Sequence, residues 1–214
     1  MGRAPSLCAV ILAAGESSRM GRDKALLPWP PATVPSNDDQ TFLSSWIRAL
    51  GPFNDMVIVV AGQNYENLAP VVFENGAFIV RNPHPENGQF SSLQVGLQEV
   101  LNRGRDAAMI TLVDRPPVSV ATLECLQAAF ASAILRAKWA VVPTFGQRHG
   151  HPLIAGREMI EAFLKAPVDV AARDVEHQHQ GKIEYVPVGD SAIAVNVNTP
   201  EDYANLISAS KTDR

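Results

Sequence analysis

The sequence predicts an α/β protein: a central, mostly parallel mixed sheet covered by helices on both faces. Short, continuously apolar runs alternate with helix-period segments along the whole chain. Those runs stop at Gly, Pro or Asp, and no internal repeat or linker breaks the alternation. In order, CAVILAA (8–14) reads as a buried strand stopped by Gly15, and FLSSWIRAL (42–50) as a helix closing at Gly51. DMVIVVAG (55–62) and AFIVRN (77–82) are the second and third strands, the latter ended by Pro83 and Pro85. SSLQVGLQEVL (91–101) is a helix opened by serines, and AAMITLVD (107–114) is a fourth strand stopped at Pro116-Pro117. The long helix 119–137 has Ser119 as its cap, followed by a fifth strand at 139–145 and a helix at 156–166. KIEYVPV (182–188) and IAVNVN (193–198) are expected as late strands. TPEDYANLISAS (199–210) closes the chain as a helix with Pro in its first turn.

Composition narrows the function classes. The 214 residues, 46% hydrophobic and 19% charged, suit one domain with a full core, expected over residues 1–214. A net charge of −4 argues against binding nucleic acid by counterion release. No apolar run reaches the roughly 18 residues of a membrane span, and the N-terminus reads poorly as a cleaved signal. Met1-Gly2 is a weak lipidation pattern. Cys8 and Cys125 sit inside apolar runs and are expected to be reduced, buried thiols of a cytoplasmic protein. The proline-rich stretch 28–41 breaks the rhythm and is expected as a loop insertion, either solvated or acting as a flap over the site.

Ligands of such sheets gather where loops leave the carboxyl ends of strands. The first of these loops, in AVILAAGESSRMGRDKALLP (9–28), combines small residues, hydroxyls and two spaced cations, the signature of an anion-binding turn. Neither a Walker loop nor a G-x-G-x-x-G fingerprint is present, since Gly21 is the next glycine after Gly15 and Lys24 lies further on. What remains is a longer loop in which Arg19 offers a planar fork for phosphate oxygens and Lys24 a compact charge.

This stretch resembles the signature loop of the MobA-like nucleotidyltransferases, the group containing the molybdopterin cytidylyl- and guanylyltransferases. Four further segments match in order: NPHPENGQFSSLQVGL (82–97), TLVDRPPVS (111–119), RHGHPLI (148–154) and VNVNTPEDY (195–203). Together they span nearly the whole chain.

The resemblance implies a Rossmann-like, three-layer nucleotidyltransferase fold and a Mg²⁺-dependent transfer of a nucleotidyl group from a nucleoside triphosphate. It places Lys24 and Arg19 as the catalytic cations. The nucleotide would lie against Leu12, Ala13, Ala14, Gly15, Ser17 and Ser18 on one side and Asn82, Gly88, Ser91, Ser92 and Leu93 on the other. Asp114 and Asn198 are the implied metal ligands. Asn198 brings no negative charge where many relatives carry Asp, and could instead cap the last helix. His151, Arg115 and Arg173 fall on the implied acceptor side, and Arg115 departs from the neutral residue common there.

The LAAG form and the Ser-Ser-Leu segment resemble the cytidylyl branch, NVNTPED the guanylyl branch, so CTP is favoured over GTP by two segments to one. The implied acceptor is the terminal phosphate of molybdopterin, with a molybdenum hydroxylase as a further partner and neither nucleic acid nor membrane. The alternatives are GTP, a sugar phosphate or other phosphorylated metabolite as acceptor, and a non-catalytic nucleotide-binding or cofactor-delivery protein. The joint presence of Lys24, Asp114, Asn198 and the glycine loop favours the enzyme. EHQHQGK (176–182) reads as a solvated turn, and its His-x-His spacing, like that of His149 and His151, lacks the further ligands of a zinc site.

Overall fold

The computed structural model describes residues 6–17, 20–30 and 40–212; Ser18, Arg19 and residues 31–39 of the loop insertion lie outside them. Strand β1 (Leu7–Leu12) is buried at every position, as a continuous apolar run between two neighbours must be. It pairs in parallel with β2 (Met56–Ala61) on one side and β4 (Ala107–Leu112) on the other; β3 (Phe78–Arg81) continues the parallel set beyond β2. Beyond β4 come β7 (Leu153–Gly156), antiparallel to it, then β5 (Ala140–Phe145) and the short β6 (Arg148–His149). β8 (Ile183–Pro187) runs parallel to β5. The result is a mostly parallel mixed sheet of eight strands.

Alternation along β1 divides the core. Ala9, Ile11 and Ala13 face α1 (Phe42–Leu50), α2 (Tyr65–Glu74) and α4 (Val120–Leu135), where Trp46, Leu68, Val72, Leu126 and Phe130 are buried. Cys8, Val10 and Leu12 face α3 (Gln89–Asn102), α5 (Arg157–Lys165) and α6 (Ala172–Gln178) through Leu97, Ile160, Phe163 and Val175. The three layers match the fold expected.

Register sets up the site. Leu12 lies opposite both Val60 and Leu112, so β1, β2 and β4 end level with one another. Backbone bonds from Ala13 to Val60 and from Val113 to Leu12 carry the ladder one step further before the loops part. The loops after all three strands therefore open side by side.

Two expectations are corrected. IAVNVN (193–198) is not a strand: Asp190 caps a 3₁₀ turn over Ser191–Ala194, and the chain then runs extended without joining the sheet. Ile193 is buried, but its carbonyl accepts from the backbone N–H of His151 at 3.0 Å and from Arg115 Nη1 at 2.8 Å rather than from a strand partner. Only one thiol is buried. Cys8 lies within the sheet, where burial pushes it up to about 12, while Cys125 sits on the outer face of α4. Its neighbours Leu123 and Leu126 take the inward positions of that helix. The turn expected over 176–182 is the end of α6 followed by a 3₁₀ turn at Gln180–Lys182. Helices α2 and α6 and strands β6 and β7 were not anticipated by the periodicity.

Candidate active site

Lys24 is delivered by a short brace of polar contacts. It opens a 3₁₀ turn over Lys24–Leu26 whose cap is Asp23: Oδ1 accepts from the Ala25 N–H at 2.9 Å. Asp23 Oδ2 accepts from Asn64 Nδ2 at 2.6 Å, and the same amide donates to the Ala13 carbonyl at 2.9 Å. Asn64 Oδ1 accepts from the Gly62 N–H at 3.0 Å. One asparagine after β2 thus ties the exits of β1 and β2 to the residue before Lys24. Ser17, held at φ 52, accepts from the Lys24 N–H through Oγ at 3.1 Å. A positive φ at a non-glycine residue is strain that recurs where a loop is shaped around a ligand.

From this turn the Lys24 side chain reaches the floor of a cleft of about 710 Å³ at the strand ends. Its ammonium lies 3.3 Å from Asp114 Oδ2 and 3.0 Å from Asn198 Oδ1, with the Lys24 side chain only 13% exposed. Asp114 follows β4, and its backbone carbonyl accepts from the Val197 N–H at 2.8 Å, which draws the segment before α7 (Pro200–Thr212) onto the cleft. Asn198 does not cap that helix. Thr199 Oγ1 accepts from Asp202 N–H, while Asp202 Oδ2 accepts from the N–H groups of Asn198 and Thr199. That reciprocal cap leaves the Asn198 amide for Lys24.

A carboxylate and an amide oxygen sharing one ammonium form an oxygen donor set suited to a hard divalent ion, which takes one or two protein ligands and completes its shell with phosphates and water. Asp114 Oδ1 is buried with no protein partner, a further lone-pair site on the same carboxylate. The residues present fit a divalent metal.

Of the other expected nucleotide contacts, Leu12, Ala14, Gly15, Ser17, Gly88 and Ser92 line the cleft. Gly88 is at φ 88 and ψ −177, a conformation essentially confined to glycine, and it starts α3. The amino end of that helix borders the cleft and favours negative charge there. Ala13, Asn82 and Ser91 act from behind. The buried Asn82 amide donates to the hydroxyls of Ser91 and Ser92 at 2.8 and 3.0 Å and accepts from the His84 N–H, which shapes the loop from 82 to 92. Arg19 and Ser18 lie outside the described residues.

Leu12, Gly88, Gln89 and Leu112 are shared with an adjoining cavity of about 700 Å³, and this second space holds Leu93 and all three expected acceptor-side residues. Arg115 is anchored by its bond to the Ile193 carbonyl, and its own carbonyl accepts from Trp46 Nε1 at 2.7 Å. Burial lowers its pKa. Close approach of Gly150 builds this wall, since a Cβ there would stand 2.5 Å from the Ile193 carbonyl oxygen. His151 Nδ1 is 3.3 Å from the Ile110 carbonyl, which can only accept, so Nδ1 carries the proton and Nε2 is the ring's acceptor. Burial, then the Arg115 charge, lowers its pKa to about 4, so the ring is neutral at physiological pH. Arg173 is exposed at the rim on α6, and one turn later Glu176 lines the same cavity. Asp23, Asn64 and Glu176 were missed by sequence reading; an Asp directly before Lys24 was the available signal for the first.

A model of the MobA-like NTP transferase domain matches residues 9–183 of this chain. The chain belongs to the MobA-like NTP transferase family. It is a nucleotidyltransferase. The molybdenum cofactor guanylyltransferase of Xanthomonas euvesicatoria is 28% identical over 92% of this chain and 93% of its own length. The molybdenum cofactor cytidylyltransferase of Escherichia coli K12 is 24% identical over 91% and 92%. Among solved structures, Rv0371c of Mycobacterium tuberculosis superposes with a TM-score of 0.79 at 24% identity, covering 97% of this chain and 100% of that one. Its complex with manganese gives 0.74 at 22% identity, over 95% and 99%. This MobA-like chain extends its site past the matched stretch, because Asn198 lies beyond residue 183.

Proposed function

We propose that this MobA-like chain, acting as one domain over residues 1–214, transfers CMP from CTP to the terminal phosphate of molybdopterin with Mg²⁺, releasing pyrophosphate. The observation that carries the reading is the convergence of Lys24, Asp114 and Asn198, from three distant segments, at the floor of the cleft. An oxygen of the acceptor phosphate forms the new bond to the α-phosphorus, and the bond to the bridging oxygen breaks as pyrophosphate leaves. Charge grows on the α oxygens and the leaving group, so fixed positive charge and in-line positioning supply most of the acceleration. Lys24 follows that charge; Arg19 counters the β and γ phosphates, with Ser17 and Ser18 beside them. Asp114 and Asn198 would hold Mg²⁺, which when bound would supply Lewis acidity.

Backbone amides around Gly15 and the start of α3 hold the phosphates between them. CTP is preferred over GTP on the resemblance of the LAAG form and the Ser-Ser-Leu segment to the cytidylyl branch, and Ala14 and Ser92 of those two segments both line the cleft. The apolar faces of Phe90, Leu93, Ile110, Val142 and Leu153 in the second cavity favour a flat heteroaromatic acceptor over a sugar phosphate.

The test is thermal shift with CTP, GTP, UTP and ATP, with and without Mg²⁺, followed by pyrophosphate release with molybdopterin as acceptor. A Mg²⁺-dependent rise for CTP and release only with acceptor support the reading. A response to GTP alone moves it to guanylyl transfer, and no response to any nucleotide overturns it.

A further inference from the structure

The second cavity is lined by two carboxyl groups that the chemistry above does not use: Asp169, which is exposed, and Glu176, which is half-buried. Glu176 sits near the end of α6 and faces the space bounded by Phe90, Ile110, Val142 and Leu153. Among the described residues its carboxyl accepts no hydrogen bond and joins no ion pair, although Arg115, His149, His151 and Arg173 line the same cavity. Those neighbours have other contacts or stand at the rim. Arg115 is tied to Ile193, His151 to Ile110, and the ring of His149 stacks on Tyr185 with centroids 4.6 Å apart. Arg173 is exposed.

We infer that Glu176 reads the pyrimidine edge of the pterin in the acceptor, its two oxygens accepting from the ring N3–H and the 2-amino group. This rests on molybdopterin being the acceptor. A 2-amino-4-oxopyrimidine presents two parallel N–H donors on one edge, and a carboxylate is the side chain that accepts both at once. Phe90, Ile110, Val142 and Leu153 provide faces for a flat ring, and Glu176, the less exposed of the two carboxylates, fixes its orientation, the usual division of labour in a small-molecule site. Burial alone pushes the Glu176 carboxyl up to about 7, which marks it as an acceptor lacking donors within the protein. Such a group left unpaired discriminates strongly against ligands that cannot supply them.

The experiment compares wild type with Glu176→Gln and Glu176→Ala in nucleotidyl transfer to molybdopterin, and in fluorescence titration with 6-hydroxymethylpterin and with lumazine, which lacks the 2-amino group. The expected result is at least a tenfold rise in KM for molybdopterin in both variants, with KM for the nucleotide unchanged, and wild-type binding of the pterin but not of lumazine. Glutamine keeps the size of the side chain but opposes an amide N–H to one pterin donor, so its loss is chemical rather than structural. Unchanged molybdopterin KM in both variants overturns the role of Glu176 and leaves the acceptor assignment standing. Failure of the wild type to use molybdopterin at all overturns both.

Discussion

Lys24 joins two distant segments by bonding both Asp114 and Asn198. Lys24→Ala should reduce turnover at least a thousandfold while the melting temperature moves by only a few degrees, since the side chain is held by two polar contacts at a cleft rather than by core packing. Asn64→Ala tests the brace behind it: turnover should fall about tenfold or more with Asp23, Asp114 and Asn198 intact, because Asp23 loses its 2.6 Å partner. Nucleotide-dependent pyrophosphate release with circular dichroism as the folding control checks both variants.

Glu176 gives a prediction about pH. In the folded chain its carboxyl titrates at about 7 against an ordinary 4.5, so between those values the native state keeps a proton that the unfolded state has released. Its contribution is therefore favourable at low pH and is lost as pH rises through that window. Glu176→Gln should be more stable than wild type near pH 8 by on the order of 2 kcal/mol, and level with it near pH 4, in denaturant titrations at the two pH values. At this scale the anion loop, Lys24 and Asp114 were legible from residue type and position after a strand, whereas Asn198 follows no strand and was singled out by the family resemblance. Glu176 was not: its run EHQHQGK is polar throughout, and only the packing of α6 against α5 turns one of those side chains inward.

At the scale of elements, periodicity located most of the sheet and the helices beneath it. The helix expected at 42–50 is α1 residue for residue, with Thr41 and Ser44 forming a reciprocal cap. Strand β1 ends two residues before its apolar run does, because Ala13 and Ala14 already belong to the loop. The segment 193–198 misled for a physical reason. Ile193, Val195 and Val197 alternate as a strand would, but Asp190 and the contact with Gly150 hold the first turn, so burial here comes from packing and not from pairing. Gly150→Ala should destabilise the chain by roughly 1–3 kcal/mol, because backbone and the base of a branched side chain occupy the space its Cβ would need. The same change should weaken acceptor use more than nucleotide binding, since Ile193 anchors Arg115, a comparison readable from the two KM values.

For the whole molecule, the level ends of β1, β2 and β4 are the feature that makes one cleft from distant segments. A nucleotide that binds only the folded state should raise stability by about 2.7 kcal/mol at a hundred times its Kd, or roughly 5–10 °C for a chain of this size. That shift should shrink in Asp114→Asn when Mg²⁺ is present, and differential scanning fluorimetry across nucleotide concentrations checks it. The three-layer fold was readable as a whole because its elements alternate; the antiparallel insertion of β7 between β4 and β5 was not, since four residues carry too little periodicity to fix a direction.

The pairing of Lys24 with Asn198 joins positions 174 residues apart. During synthesis the sheet can be complete through β8, at residue 187, while the last oxygen of the lysine site is still to come. A protein emerging from the ribosome could thus be compact and able to hold phosphate before its lysine is fully seated. Chemical competence waits on residue 198, beyond the last strand of the sheet, which separates the moment of folding from the moment of activity.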